Sequence, residues 1–188
     1  MQVLRAALRV AAPWKNGGGV TREIAASPPG AGFDDFRWRV SMAEVRSDGP
    51  FSLFPEVDRI LAVIEGRLAL SVAGGGAFDL SPASPPAAFP GDAAATGRLL
   101  EGPVLDLNVM TRRGDVTGAL ERLEIHQPLV LRPFAGERVV VAASGPLLAV
   151  SGGPPISLAR FDALLLEPGE TATLEAARPA TAYLAVFR

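Results

Sequence analysis

The sequence predicts an all-β protein, and two observations support that prediction. Turn-forming residues recur at short intervals, with 17 prolines and 20 glycines among 188 residues, and short apolar runs lie between them. Along residues 36–42, large apolar side chains alternate with Arg37, Arg39 and Ser41, which therefore fall on the opposite face of a strand. Both patterns are typical of β-sandwiches and β-barrels.

The predicted strands follow one another along the chain. Residues 1–12 are apolar but are interrupted by Arg5 and Arg9, so we interpret them as a first strand and not as a signal peptide. Residues 58–70 are expected to form two strands joined by a tight hairpin turn at 65–67. Residues 104–111 alternate again, with Asp106, Asn108 and Met110 on one face.

The rest of the chain resembles the first part in pattern. Residues 115–124 look helical, and strands are expected at 128–131, 138–142, 147–150, 156–166 and 180–187. A Pro-Gly-acid turn occurs at 90–92 and again at 168–170, which is a weak internal repeat. We therefore predict a bicupin, meaning two stacked cupin-like β-barrel modules of the RmlC-like jelly-roll type. Residues 1–114 would form the module with the pocket, 115–126 a helical linker and 127–188 a smaller module.

Composition excludes several classes of function. The chain is 48% hydrophobic and 20% charged, with a net charge of −2 and no basic run, which argues against a nucleic-acid partner. No apolar run is long enough to cross a bilayer, so no membrane partner is expected. The absence of cysteine rules out disulfides and thiolate chemistry and suits a cytoplasmic protein.

One hexapeptide gathers the rarest residue types of the chain. Lys15 is the only lysine, Asn16 is one of two asparagines and Trp14 is one of two tryptophans; Gly17, Gly18 and Gly19 follow them. Lysine supplies three donors, asparagine a donor and an acceptor, and glycines allow a ligand to approach the backbone. A ligand site and a simple hairpin turn whose glycines supply positive φ remain alternative interpretations of this segment.

Polar residues also lie in the middle of predicted strands. Thr21 shares a face with Glu23, and Arg39 shares a face with Ser41. Asn108 has apolar neighbours, and Asp58 and Arg59 begin an apolar strand. Such groups must find partners or bind a ligand, so an internal network, for instance Glu23 with Arg39, and a ligand pocket are both open. Lys15, Arg39 and Arg59 favour an anionic ligand.

Metal and nucleophile chemistry have little support in the sequence. His126 is the only histidine, so a site with two histidines and one carboxylate cannot be assembled within one chain. There is no Gly-x-Ser-x-Gly motif and no phosphate-binding loop. We therefore expect no metal and no cofactor. The sequence does not decide whether the protein is an enzyme, but the missing metal ligands and nucleophile motifs argue against it. A Schiff base on Lys15 is one enzymatic option.

Four segments resemble the signature of the HutD/Ves family: 13–24, 36–43, 49–55 with 58–59 following, and 106–113. The resemblance is specific over about the first 115 residues and looser afterwards. It implies a bacterial, cytosolic bicupin associated with histidine utilisation, with a regulatory or metabolite-binding role and with urocanate or N-formylglutamate as natural ligands. The site residues that it implies are Trp14, Lys15, Asn16, Gly17, Gly18, Gly19, Thr21, Glu23, Arg39, Ser41, Asp58, Arg59 and Asn108.

Three hypotheses of function follow. The first is a metal-free protein that binds a small anionic metabolite and senses or limits histidine breakdown. The second is a metal-independent isomerase, hydrolase or lyase that uses Lys15 or Glu23. The third is an interaction protein that docks on a histidine-pathway enzyme through an exposed Trp14 loop. A homodimer is a further expectation, by analogy with other cupins.

Overall fold

A computed structural model describes residues 1–14 and 17–188 of the chain, and these form nineteen β-strands and one short 3-10 helix, Ala6–Leu8. The strands are β1 (Gln2–Leu4), β2 (Ala11–Pro13), β3 (Gly19–Ser27), β4 (Trp38–Val45), β5 (Gly49–Pro50), β6 (Val57–Glu65), β7 (Leu68–Val72), β8 (Gly76–Leu80), β9 (Ala87–Pro90), β10 (Ala95–Leu99), β11 (Val104–Arg112), β12 (Gly118–Ile125), β13 (Leu129–Leu131), β14 (Arg138–Ala142), β15 (Leu147–Val150), β16 (Ile156–Leu158), β17 (Ala163–Leu166), β18 (Ala172–Glu175) and β19 (Ala180–Phe187). The predicted all-β class is confirmed.

The chain divides into two compact modules. The first module is Val10–Gly118, and the second module combines Met1–Arg9 with Ala119–Arg188. The prediction of one initial strand over 1–12 is therefore wrong, because β1 pairs with β17 of the second module while β2 pairs with β3 of the first. Two short extended pieces separated by a 3-10 turn can join different sheets, which a single strand cannot do.

The first module contains two antiparallel sheets. Their strand orders are β2-β3-β4-β11-β6-β9 and β5-β10-β7-β8. Apolar side chains from both sheets form one core, in which Val45, Leu61 and Val104 meet Leu68 and Leu70. The larger sheet thus directs one face towards the smaller sheet, and β11 lies at its centre between β4 and β6.

The inner face of the larger sheet changes from apolar to polar along its strands. On β11, Val104 belongs to the apolar core. Asp106 and Asn108, two and four residues later, lie on the same face of the strand. On β4 the order is reversed, because Arg39 and Ser41 precede Val45 and the strands are antiparallel. One end of the module is therefore filled by apolar packing, and the other end is polar.

The strands predicted within 58–70 are present, but the hairpin between them is not. β6 belongs to the six-stranded sheet and β7 to the four-stranded sheet, so Gly66 (φ +80°) lies where the chain passes from one sheet to the other. A Cβ on Gly66 would approach the backbone oxygen of Pro103 to 2.6 Å. The close approach of a neighbouring segment, together with the positive φ, explains the glycine at this position.

The second module repeats this plan with sheets β1-β17-β14-β19-β12 and β13-β18-β15-β16. Its core is apolar throughout, and includes Val140, Leu147, Leu158, Leu164 and Leu174. The buried guanidinium of Arg138 donates to the backbone oxygens of Arg132 (2.8 Å) and Glu170. Arg138 lies on the same face of β14 as the core residue Val140, and its guanidinium is bound by backbone oxygens, whereas the inner face of the first module carries two arginines and an aspartate.

The predicted helical linker over 115–126 is wrong, because most of this segment is strand β12, which pairs beside β19. Leu120 and Leu123 are spaced three apart, as on a helix, but the buried positions near the end of the strand are Leu123 and Ile125, with exposed Glu124 between them. Pairing with β19 sets this period-two pattern. None of the helices in the described parts of the chain has the length and apolar character needed to cross a membrane.

Candidate functional site

The polar end of the first module contains a cavity of about 640 Å³. Its floor comes from strands β3, β4, β6 and β11, and its rim from β2 and from the segments around Phe33 and after β5. The lining residues are Ala12, Pro13, Trp14, Thr21, Phe33, Arg39, Ser41, Ala43, Pro50, Phe51, Ser52, Phe54, Arg59, Asp106, Asn108 and Met110. The cavity thus combines two guanidinium groups, a carboxyl group, an amide and a set of aromatic rings.

Sheet register brings the two arginines to the same floor. Met110 on the central strand pairs with Arg39 of β4 on one side and with Arg59 of β6 on the other. Neighbouring strands lie about 4.8 Å apart, so the two arginine backbones are roughly 10 Å apart with both side chains on one face. That spacing allows both guanidinium groups to approach one small ligand.

The Arg39 guanidinium already has an anionic partner. Its Nε donates to Glu23 Oε2 at 2.8 Å, and its Nη1 donates to Ser41 Oγ at 3.3 Å. The guanidinium also lies 4.8 Å from the centroid of the Phe33 ring. The internal network between Glu23 and Arg39, which the sequence left as an alternative, is therefore present, and Arg39 still lines the cavity.

The Arg59 guanidinium is buried and forms no ion pair among the described residues. It is 5% exposed, and its Nε and Nη2 donate to Asn108 Oδ1 at 3.4 and 3.3 Å. Nη1 donates to the backbone oxygen of Ser52 at 3.4 Å, and three phenylalanine rings lie 5.2 to 5.6 Å away. Burial lowers the pKa of Arg59 to about 10, with an opposing contribution from Asp106. The guanidinium is still charged at pH 7 and has only neutral hydrogen-bond acceptors.

The Asp106 carboxyl group lies on the same wall and is the most buried ionisable group of the cavity. Asp106 is 1% exposed, and its Oδ1 has no hydrogen-bond partner in the part of the chain that the structure describes. Burial raises the pKa of Asp106 to about 7, against the opposing influence of the Arg59 charge and of a hydrogen bond from the Ala43 backbone. The group is therefore divided between its neutral and ionised forms near pH 7.

The Trp14 segment connects β2 and β3 at the rim of the cavity. Trp14 is half-buried, and its Nε1 donates to Thr21 Oγ1 at 2.8 Å, so the indole forms part of the cavity wall. Gly17 has φ +73° and Gly18 accepts a hydrogen bond from the Arg46 backbone. Gly17, Gly18 and Gly19 do not line the cavity. The predictions for Lys15 and Asn16 lie outside the described residues.

Gly19 is required by close packing. A Cβ there would overlap the backbone oxygen of Glu44 and press on the Trp14 ring at 3.1 Å. We expect Gly19→Ala to lower the free energy of unfolding by about 2 kcal/mol, since the backbone of two paired strands must move. Urea unfolding would measure the change. Gly153→Ala, where nothing lies within 4 Å of the added Cβ, is the control and should match the parent protein.

The structure places six of the predicted site residues on the cavity: Trp14, Thr21, Arg39, Ser41, Arg59 and Asn108. Glu23 reaches the cavity through its ion pair with Arg39. Asp58 points away, and its Oδ1 accepts from Arg113 at 2.9 Å on the exposed side. Sequence reasoning omitted Asp106 from the site, although it placed Asp106 and Asn108 on one face. It also omitted Phe33, Phe51 and Phe54, which lie between strands where no periodicity marks them.

Within 1–14 and 17–188, no three histidine, aspartate or glutamate side chains come together as a set of metal ligands. His126 is exposed and lies in the second module. The polar groups of the cavity are mainly guanidinium and amide donors, which suit an anion better than a cation.

Residues 6–184 match the sequence model of the HutD family. The chain belongs to the HutD family. Most of both modules is included in the match, so the assignment extends well beyond the segments that suggested it.

Curated relatives of this HutD-family protein match over somewhat more than half of its length. Protein Ves from Citrobacter koseri is 42% identical over 102 residues, which are 53% of this chain and 52% of the relative. An uncharacterized 21.2 kDa protein in the hutC 3′ region of Pseudomonas putida is 39% identical over 111 residues, 58% of this chain and 57% of the relative. The matched region thus spans about half the length of these curated relatives.

Solved structures match the whole fold. A conserved protein of unknown function from Pseudomonas aeruginosa PAO1 is 31% identical, with a TM-score of 0.91 over 99% of this chain and 97% of that one. HutD from Pseudomonas fluorescens SBW25, solved in a formate condition, is 28% identical, with a TM-score of 0.81 over 100% and 98%. A cupin 2 barrel protein from Leptotrichia buccalis, 9% identical with a TM-score of 0.63 over 100% and 96%, supports the predicted cupin fold.

Proposed function

We propose that this HutD-family protein binds a small anionic metabolite, through its carboxylate, in the cavity of the first module. One observation carries the proposal: Arg59 is a buried cation that lines the cavity and has no ion-pair partner among the described residues. A buried charge is costly unless an opposite charge compensates it. A ligand carboxylate that accepts two parallel hydrogen bonds from the guanidinium would supply that charge.

The rest of the cavity fits the body of such a ligand. Its volume of about 640 Å³ is within the range of roughly 300 to 1,000 Å³ that is usual for small-molecule pockets. Trp14, Phe33, Phe51 and Phe54 supply aromatic surface, while Thr21, Ser41 and Asn108 supply hydrogen-bonding groups. This mixture of apolar walls and a few polar groups is typical of metabolite-binding sites.

The family assignment suggests which metabolites to test. One relative lies in the hutC 3′ region of its genome, and the family itself is HutD. We therefore propose a role in histidine utilisation, as a metal-free sensor or regulator, with urocanate or N-formylglutamate as the ligand. The half-buried Trp14, bonded to Thr21, supports a pocket wall more than an exposed anchor for a partner protein. Glu23, engaged with Arg39, offers no free base for an enzymatic alternative.

Thermal unfolding with a panel of acids tests the proposal. The panel is urocanate, N-formylglutamate, imidazolepropionate, histidine and glutamate. A ligand at about 100 times its Kd adds ~2.7 kcal/mol to stability, which raises Tm by roughly 5–10 °C for a chain of this size. We expect at least one carboxylic acid to produce such a shift.

Two variants connect the shift to the cavity. Arg39→Ala and Lys15→Ala are expected to reduce the shift, and Arg67→Ala, whose side chain is on the exposed side paired with Asp79, is expected to preserve it. If no acid of the panel changed Tm at any pH between 6 and 8.5, the proposed function would be wrong. Equal shifts in the parent, in Arg39→Ala and in Lys15→Ala would place the binding elsewhere.

A further inference from the structure

We propose that the cavity binds one carboxylate at Arg59 together with one proton on Asp106, and therefore selects flat monocarboxylic acids over dicarboxylic acids. This inference rests on the proposed function and specifies its ligand class: of the two proposed ligands it favours urocanate, which carries one carboxylate, over N-formylglutamate, which carries two. It follows from how the charges of the cavity are paired, from the burial of Asp106 and from the position of the aromatic rings.

The pairing of charges leaves a single cation for a ligand. The described ionisable side chains on the cavity wall are Arg39 from β4, Arg59 from β6 and Asp106 from β11, and Glu23 from β3 contacts Arg39 from outside the wall. The Arg39 charge is matched by Glu23 at 2.8 Å. Only the Arg59 charge is without a contacting carboxylate, so these groups offer one site for one anionic group.

Asp106 and the incoming carboxylate compete for that cation. Asp106 is fully buried; among residues 1–14 and 17–188 its Oδ1 accepts no hydrogen bond, and Arg59 supplies the cationic influence that acts on it. When Asp106 is ionised, it offsets the Arg59 charge, and a second anion beside it would be repelled in a poorly solvated space. When Asp106 is protonated, the Arg59 charge is available to the ligand. Binding and protonation must then favour each other.

The rings define the shape of the favoured ligand. Phe51 and Phe54 lie beside Arg59 at 5.3 and 5.6 Å, and Phe33 lies beside Arg39 at 4.8 Å. A flat apolar body directed from the Arg59 carboxylate site would pack against these rings. A second carboxylate at the far end of the same body would meet no unmatched cation among the described residues, so its desolvation would be uncompensated.

Calorimetric titration with trans-cinnamate tests the proton directly. This acid is a flat monocarboxylate that is ionised throughout the range from pH 6 to 8.5, so any change in protonation belongs to the protein. Titration in phosphate and in Tris, which differ in ionisation enthalpy, should reveal uptake of about half a proton per ligand at pH 7 and nearly one at pH 8. The affinity should fall about 30-fold between pH 6 and pH 8.5.

Asp106→Asn identifies the group that takes the proton. The amide is neutral at every pH, so the variant should bind cinnamate without proton uptake, and its affinity should stay constant between pH 6 and pH 8.5. Asp79→Asn is the matched control, because Asp79 is an exposed carboxylate paired with Arg67 outside the cavity. It should retain the pH dependence of the parent.

4-Carboxycinnamate tests the charge class, since it differs from cinnamate by one carboxylate. We expect it to bind at least 10-fold more weakly at pH 6. The inference would be overturned if cinnamate bound without proton uptake, if Asp106→Asn retained the pH dependence, if the dicarboxylate bound as well as cinnamate, or if a panel acid bound and cinnamate did not. Failure of every acid to bind would instead overturn the proposed function.

Discussion

Arg59→Gln is expected to reduce the affinity for a carboxylic acid by about 100-fold or more. Removing one side of a desolvated, hydrogen-bonded charge pair typically costs 2–5 kcal/mol of binding free energy, which corresponds to roughly 30-fold to several thousand-fold in Kd. Glutamine retains hydrogen-bond donors but has no charge and cannot form the two parallel bonds of a guanidinium. Calorimetric titration of parent and variant at pH 6 measures the loss.

The same variant should remain folded, which separates binding from stability. Arg59 is buried and forms no ion pair with any residue that the structure describes, and replacing an uncompensated buried charge by a neutral side chain is often neutral or stabilising. We therefore expect the Tm without ligand to stay within a few degrees of that of the parent. Arg113→Gln is the matched control: Arg113 lies outside the cavity, paired with Asp58 and Asp92, and its loss should leave the affinity unchanged. Undiminished binding by Arg59→Gln would show that the carboxylate lies elsewhere.

Asp106→Asn is expected to remove much of the pH dependence of stability in the ligand-free protein. Burial raises the pKa of Asp106 from its ordinary 3.8 to about 7 in the folded protein. Between those values the folded chain holds a proton that the unfolded chain has lost. The contribution of Asp106 to the free energy of unfolding is therefore fully present at low pH and is lost as the pH rises towards 7. Between pH 5 and pH 8 the loss is about 2–3 kcal/mol.

Urea unfolding of the parent at pH 5 and pH 8 measures this loss, and the Asn variant should show a correspondingly smaller difference between the two pH values. Asp79→Asn serves again as control, since the hydrogen bond with Arg67 lowers the pKa of Asp79 and keeps its titration below this range. If the parent did not lose more stability than Asp106→Asn between pH 5 and pH 8, the raised pKa of Asp106 in the folded protein would be wrong.

The alternating segments were predictable from sequence because side-chain direction in a strand depends only on the local period of two. Alternation along 36–42 and 104–111 placed Arg39 with Ser41 and Asp106 with Asn108, and the structure has both pairs on the inner face of one sheet. The segment 115–126 was wrongly predicted as a helix because its leucine spacing fits one. It forms a strand because it pairs beside β19, a long-range contact that the spacing of residues within the segment cannot reveal.

The site was only partly predictable. Rarity pointed to Trp14, and polar residues on predicted strands pointed to Arg39, Arg59 and Asn108; all four line the cavity. The polar residues on strands also included Asp58, which the alternation of β6 directs to the opposite, exposed side. Asp106 was overlooked because its burial comes from the central position of β11 between two strands. The phenylalanines of the rim lie in connecting segments, where sequence period carries no information.

The sequence by itself determined the all-β class, the two-module plan, the family and the faces of the residues along 36–42 and 104–111, because these depend on composition, turn residues, short motifs and local period. Only the tertiary structure decided that the first nine residues belong to the second module, that Met110 lies between Arg39 and Arg59, and that Asp106 is buried near a guanidinium to which no described carboxylate is paired. Those features depend on strand order and register between segments far apart in the chain, which are set by the packing of the whole module.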